Sequence, residues 1–299
     1  MNLNKPTIWI GNQLYAEREL LLLKLNETKL QLDKAGYSWK MIIVENDHTF
    51  TGNSKPYYYS DIWSKEEDFK PFESNIVCFK MQGFGTEQNN SENAMRCDFC
   101  QKRAIAQGFD LADPDDICVL TDLDEIPDFR SILNFFNNDL NRINKIYTLQ
   151  IRLFYYAYNC KALFEDDRVT IFRKKDFKGV DAHRAGPSMG VERIWIPSSG
   201  WHFSYLGTPE FVRNKISNFG HSELNTPQVQ ANIENAIKNC TDVYGRPGCR
   251  FTIIPLDSTY PEYLLNNKEL YSHNIREFIK PSEPVIKNMS FNDLILRKI

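Results

Sequence analysis

The chain has 299 residues, 36 Lys+Arg against 39 Asp+Glu for a formal charge of −3, and 42 % apolar and 13 % aromatic residues. These proportions exclude a disordered tail, a collagen and a disulfide scaffold, and the length supports a full hydrophobic core. A slightly acidic balance with no dominant basic patch also excludes a nucleic-acid backbone binder. In chain order, the opening Met1-Asn-Leu-Asn-Lys-Pro6 lacks the apolar stretch of a secretory leader. Residues 7–10 are β-rich and end at Gly11. Residues 14–33 place leucines among Glu, Lys and Gln, which predicts a helix. Its most apolar run, Leu20 to Leu25, is broken by Lys24 and is too short to span a bilayer. The expectation is a cytoplasmic protein without a membrane span. Residues 39–44 and 76–81 read as buried strands, residues 91–107 as a helix capped by Ser91, and residues 117–120 as a fourth strand.

Strands alternating with helices predict βαβ units and a mostly parallel, Rossmann-like sheet flanked by helices. After Pro127 the pattern is mixed. Residues 146–158 form a long aromatic strand, residues 169–172 and 194–201 further strands, and residues 209–218 and 227–239 helices. Beyond Pro255 the chain is punctuated by prolines and ends in a basic tail. With no repeat or linker, one domain over 1–299 is expected, with halves 1–127 and 128–255 and an extension 256–299. Seven cysteines without a leader read as reduced thiols. Cys97 and Cys100 form a lone C-x-x-C without a second pair, so two buried helix cysteines are favoured over a zinc site.

In sheets of this kind ligands bind beyond the carboxyl ends of the strands. Two polar clusters stand there, Glu45 onwards and Asp122-Leu-Asp124-Glu125. In an extended segment Asp122 and Asp124 point the same way, and two converging carboxylates repel unless a cation or proton separates them. A hard divalent ion, Mn²⁺ or Mg²⁺, meets that need and also takes a substrate phosphate. Such a pair serves either a metal-bridged nucleotide-sugar diphosphate or an aspartyl phosphotransferase with Asp122 as nucleophile. The continuation Glu125-Ile126 and the position after a fourth strand favour the sugar-transfer reading. A glycan-binding module without catalysis is the non-enzymatic alternative.

The sequence resembles glycosyltransferase family 17, the family of β-1,4-mannosyl-glycoprotein β-1,4-N-acetylglucosaminyltransferase-like enzymes. The resemblance lies in Glu19-Leu-Leu-Leu-Leu-Lys-Leu-Asn-Glu27, in Val44-Glu-Asn-Asp-His-Thr-Phe-Thr-Gly52, and in Glu92 and Arg96. It continues in Leu120-Thr-Asp-Leu-Asp-Glu-Ile-Pro127 and in Gly200-Trp-His-Phe-Ser-Tyr-Leu-Gly207 followed by Lys215 and His221-Ser-Glu223. The likeness implies a GT-A fold, a UDP-sugar donor (UDP-N-acetylglucosamine), a glycan acceptor, a divalent metal and inversion at the anomeric carbon.

On that basis Glu45 and Asn46 are expected to meet the nucleoside, and Arg96, with Arg103 as the other candidate, to reach a phosphate. Asp124 is expected to ligate the metal, with Asp122 on the metal or the ribose. A third ligand comes from His202 or His221, and the acidic neighbour of His221 favours it. Lys215 is expected to neutralise the diphosphate. Glu210 and Glu223 are the candidate bases, with Asp181 and Glu192 as outside choices. Trp201, His202 and Tyr156 are the acceptor-side candidates, the aromatics as platforms for sugar rings.

Overall fold

The computed structural model describes residues 5–83, 91–247 and 249–278, so the basic tail lies outside the described residues. Among the described residues ten strands join one sheet in the order β3-β2-β1-β4-β7-β6-β9-β5, with β10 on β7 and β8 on β6. The first four are β1 (Ile8–Leu14), β2 (Trp39–Asn46), β3 (Ile76–Met81) and β4 (Ile117–Leu120), and they pair in parallel. Their period-two pattern divides two cores. Ile8, Ile10, Met41 and Ile43 pack with Leu21 and Leu25 of helix α1 (Arg18–Ala35). Trp9, Ile42, Val44 and Leu120 pack with Ile105 and Phe109 of α2 (Ser91–Phe109) on the opposite face. A parallel sheet covered on both faces explains why these strands read as continuous apolar runs.

β1 does not end at Gly11 but runs on to Leu14. Gly11 is there for packing, because a Cβ would lie 2.2 Å from Ile105 Cγ2 of α2. α1 stops at Gly36, whose φ of 70° permits the left-handed turn that returns its amide to Asp33 and Leu32.

The second half is mixed, as expected. β6 (Tyr147–Tyr155) and β7 (Cys160–Arg173) form a long hairpin, and β7 joins β4 antiparallel. The aromatic strand ends at Tyr155 because Tyr156 turns to φ 65°. Instead of one strand over 194–201, β8 (Trp195–Ile196) and β9 (Gly200–Ser204) are separated at Pro197, which has no amide to donate, and at Ser198 with φ 49°. β5 (Glu125–Pro127) pairs antiparallel with β9. β10 (Phe251–Ile253) completes the sheet. Helices α3 (Phe129–Phe135) and α4 (Val180–Ala185) follow β5 and β7. Helices α5 (Pro209–Asn218) and α6 (Pro227–Asn239) each start with Pro after a Thr cap, Thr208 and Thr226 respectively.

β4 and β5 are consecutive in the chain yet four strand positions apart in the sheet. In a flat sheet that separation is about 19 Å. The Thr121 hydroxyl nevertheless lies 2.7 Å from the Glu125 carbonyl. The sheet therefore curls until its far edge meets β4, and residues 121–124 form the seam.

After β10 come α7 (Glu262–Asn266), which packs against α1, and α8 (Lys268–Tyr271), whose Tyr271 joins the core of Leu20 and Leu23 of α1. Glu27, with no solvent exposure, accepts from the backbone amides of Glu262 and Tyr263 at 2.9 and 2.7 Å. Glu19 bonds Tyr158 Oη at 2.7 Å and His273 Nε2 at 2.7 Å. Substituting Glu27→Ala strands two amides and is expected to cost roughly 2–5 kcal/mol. The measurement is a lowered Tm together with faster amide exchange confined to residues 262–271. Unchanged exchange there would remove this role from Glu27.

Candidate active site

The seam is built from backbone bonds first. The Thr121 amide donates to the Gly11 carbonyl at 3.1 Å, and the Glu125 amide donates to the Asp122 carbonyl at 3.1 Å. The Asp122 amide donates to Glu125 Oε2 at 2.7 Å, so the Glu125 carboxylate braces the turn. The Phe203 amide donates to the Asp124 carbonyl at 2.9 Å and ties the seam to β9.

The side chains of the seam meet groups from four other elements. Asp124 Oδ2 accepts from Lys215 Nζ of α5 at 2.9 Å and lies 3.5 Å from His202 Nε2 of β9. Lys215 also lies 3.2 Å from Glu17 Oε1, just before α1. The other imidazole nitrogen, His202 Nδ1, is 3.0 Å from Asp166 Oδ2 of β7. Asp166 in turn accepts from Arg168 at 2.6 Å. Asp122 Oδ2 lies 2.5 Å from Arg184 Nη2 of α4 and 3.7 Å from Lys102 Nζ of α2, which also holds Asp98 at 2.9 Å.

These pairs set the protonation states. Burial opposes the charge on Asp122, but Arg184 and Lys102 prevail and hold its pKa down at about 2. Burial opposes Asp124 as well, and Lys215 with His202 keeps it well below the usual carboxylate range. Burial favours neutral His202, yet Asp124 and Asp166 outweigh it and raise its pKa to about 10. In the metal-free protein His202 is thus an imidazolium between two carboxylates.

A cavity of about 450 Å³ opens over this cluster, within the usual size of a small-ligand pocket. Asp122, Asp124, His202 and Lys215 line it, together with Glu17, Asp98, Lys102 and Arg168. Tyr155, Tyr205 and Tyr244 also line it. Four carboxylates therefore share the wall with five fixed cations, Lys55, Lys102, Arg168, Lys215 and Arg246, and the His202 imidazolium, a mixture suited to a ligand that carries both phosphates and hydroxyls.

Of the residues expected from sequence, Asp122, Asp124, His202 and Lys215 are brought together. His221 lines the cavity too, but it is exposed and its Nδ1 is 2.8 Å from Glu223 Oε1. Glu210 stands exposed on the first turn of α5 and does not line the cavity. Glu45 is buried outside it, accepting from the Tyr59 and Ser60 amides at 2.8 and 2.9 Å and from Ser60 Oγ at 2.6 Å. Asn46 is buried beside it at the end of β2, its Oδ1 without a hydrogen-bond partner among the described residues. Arg96 is exposed on α2, Arg103 pairs with Asp181 at 2.5 Å, and Glu192 is exposed. Trp201 is wholly buried and donates to the Thr259 carbonyl at 3.0 Å, and Tyr156 is buried with its hydroxyl on the Thr241 carbonyl at 2.9 Å. Glu17, Asp98, Lys102 and Arg168 went unnoticed in the sequence. A helical-face reading places Asp98 and Lys102, four apart, on one side of α2 and would have found that pair.

The donor set suits a divalent ion. Glu125, Asp166 and His202 offer ligand atoms within 4.8 Å of one another, and Asp124 faces the free nitrogen of the same ring. A histidine whose second nitrogen rests on a buried carboxylate is the usual arrangement of a metal-binding imidazole. Among the described residues Cys97 and Cys100 belong to no such group.

A curled, mostly parallel Rossmann-like half-sheet flanked by helices and joined to a mixed second half is the α/β architecture expected of a GT-A-type fold. The family model "Glycosyltransferase family 17" matches residues 12–271, and the chain belongs to that family. Among solved structures, the catalytic domain of Drosophila β1,4-galactosyltransferase 7 in complex with xylobiose is similar at 10 % identity, with a TM-score of 0.33. The match covers 64 % of this chain and 65 % of that one, a little under two thirds of the solved domain. No curated protein matches. No helix among the described residues is long and apolar enough to cross a membrane.

Proposed function

We propose that this protein transfers a sugar from a nucleotide-sugar donor to a glycan hydroxyl with inversion. UDP-N-acetylglucosamine is the donor that the family likeness favours. The observation that carries the reading is the convergence of Asp122, Asp124, Lys215 and His202 on one cavity at the carboxyl end of β4. Lys215 and Lys102 offer ammonium groups for the diphosphate, and Asp122 offers acceptor oxygens for ribose hydroxyls.

Asp124 and His202 would hold a divalent ion, Mn²⁺ or Mg²⁺, with Asp166 orienting the imidazole through Nδ1. When bound, the ion supplies Lewis-acid stabilisation of the departing diphosphate. His202 thereby replaces His221 as the favoured third ligand, because the ring of His221 rests on Glu223 at the surface. Of the two candidate bases, Glu223 is linked through His221 to the cavity wall, whereas Glu210 is not, so Glu223 is the better choice to take the acceptor proton.

The test is a thermal-shift panel of nucleotide-sugars with and without Mn²⁺, followed by donor hydrolysis for each hit. A Mn²⁺-enhanced shift with UDP-N-acetylglucosamine is expected. A panel in which no nucleotide-sugar shifts Tm or is hydrolysed would overturn the reading.

A further inference from the structure

Lys24 is the residue that interrupts the apolar run of α1, and in the folded chain it has no solvent exposure. Its ammonium reaches the seam of the curled sheet from below. Nζ donates to the Asp122 carbonyl at 2.8 Å, to the Glu125 carbonyl at 2.6 Å and to Thr121 Oγ1 at 3.2 Å. It also donates to Asn12 Oδ1 of β1. The Thr121 hydroxyl lies 2.8 and 2.7 Å from the same two carbonyls, so lysine and threonine hold the turn jointly.

All four partners of Nζ are neutral oxygens, although Asp122, Asp124 and Glu125 are all nearby. A lysine serving only as a counter-ion would meet a carboxylate. This one instead satisfies the inward carbonyls of the turn, which leaves the Asp122 and Asp124 side chains facing the cavity. Burial without a contacting anion lowers the Lys24 pKa to about 7, a cost that leucine or methionine, which suit the rest of the run, would not carry. Asn12, Thr121, Asp122 and Glu125 lie on β1, at the end of β4 and at the start of β5. One ammonium thus spans the strands that the curl brings together.

We propose that Lys24 is a positioning residue: it pins the seam so that Asp122 and Asp124 are presented to the donor diphosphate. The proposal rests on the reading of this cavity as the donor site. It adds a requirement that no motif of the acidic turn contains, a lysine about a hundred residues earlier in the chain.

The experiment uses the full chain with Lys24→Met, Thr121→Val and Asp124→Asn beside wild type. Two readouts are taken: amide exchange of residues 119–126 without ligand, and UDP-N-acetylglucosamine affinity by calorimetry with Mn²⁺. In Lys24→Met, exchange at the turn is expected to quicken at least about tenfold while β2 and β3 keep their protection, with donor affinity at least about tenfold weaker. Thr121→Val, which keeps the ammonium, is expected to show the same changes at smaller size. If Lys24→Met does not fold, Thr121→Val decides: wild-type exchange and affinity there would overturn the proposal. A folded Lys24→Met with wild-type affinity overturns it directly, and a loss of Tm alone would mark Lys24 as structural only. If wild type binds no nucleotide-sugar, the donor-site reading fails and the positioning role falls with it. If Asp124→Asn loses binding while Lys24→Met keeps it, only the Lys24 proposal fails.

Discussion

Replacing Asp124 with asparagine is expected to lower transfer activity by more than about a hundredfold while the protein still unfolds cooperatively. The carboxylate lies 2.9 Å from Lys215 and 3.5 Å from His202, and it is the group of the acidic turn that faces the free imidazole nitrogen. Asparagine preserves the volume and still accepts from Lys215, and the backbone bond from Phe203 to residue 124 does not depend on the side chain. Lys215 retains Glu17, and His202 retains Asp166. The fold therefore survives, while the anionic oxygen at the metal and diphosphate position is gone. Asp122→Asn is expected to be milder in stability because Arg184 keeps its bond to Glu125. Steady-state kinetics with saturating Mn²⁺ and donor, set beside a melting curve, provide the measurement. Wild-type activity in Asp124→Asn would remove Asp124 from the site.

The second large effect concerns His202. In the metal-free protein its folded pKa, about 10, lies above the ordinary 6.5. A group whose pKa is raised on folding contributes stability that is complete below the unfolded value and is lost as pH rises through the folded value. Metal-free stability is thus expected to fall between about pH 7 and pH 10, by on the order of a few kcal/mol. His202→Gln should flatten that slope. A divalent ion needs the neutral ring, so Mn²⁺ affinity is expected to rise with pH by up to about tenfold per unit below pH 10. His202→Ala should weaken Mn²⁺ by at least about a hundredfold, whereas His221→Ala, removing a ring held by Glu223 at the surface, should leave it unchanged. Titrating Mn²⁺ at several pH values separates the two histidines, and equal losses in both variants would refute the assignment.

The fold was legible where one residue type decides local structure. Continuous apolar runs marked the parallel strands, the predicted helices 209–218 and 227–239 match α5 and α6, and Asp122-Leu-Asp124 marked a polar cluster beyond β4. What stayed hidden depends on distant partners. Glu45 stands at a strand end, where a ligand-binding carboxylate and one that caps backbone amides look alike until Tyr59 and Ser60 fold back onto it. Trp201 and Tyr156 read as sugar platforms, but aromatic alternation does not reveal that β9 is roofed at Trp201 by residues 259–271, or that Tyr156 is covered by residues 241–243. Gly11 looked like a strand terminator because its real constraint, Ile105, lies on another element. The acidic neighbour in sequence favoured His221 over His202, because the 3.0 Å contact from Asp166 of β7 that orients His202 joins residues far apart in the chain.

The docking of α7 and α8 on α1 bears on the order in which the protein can be made. Leu20 and Leu23 of α1 share a core with Ile126, Trp201 and Phe203, and that core is completed by Tyr260, Leu264 and Tyr271. During synthesis the helix carrying Lys24 emerges early, but the layer that fixes its outer face does not exist until residue 271 has been made. The parallel half-sheet can collapse on a growing chain, since its strands and helices are all complete by Leu120. The acidic turn therefore acquires its final surroundings only after the residues through Arg246 that wall the cavity have been made.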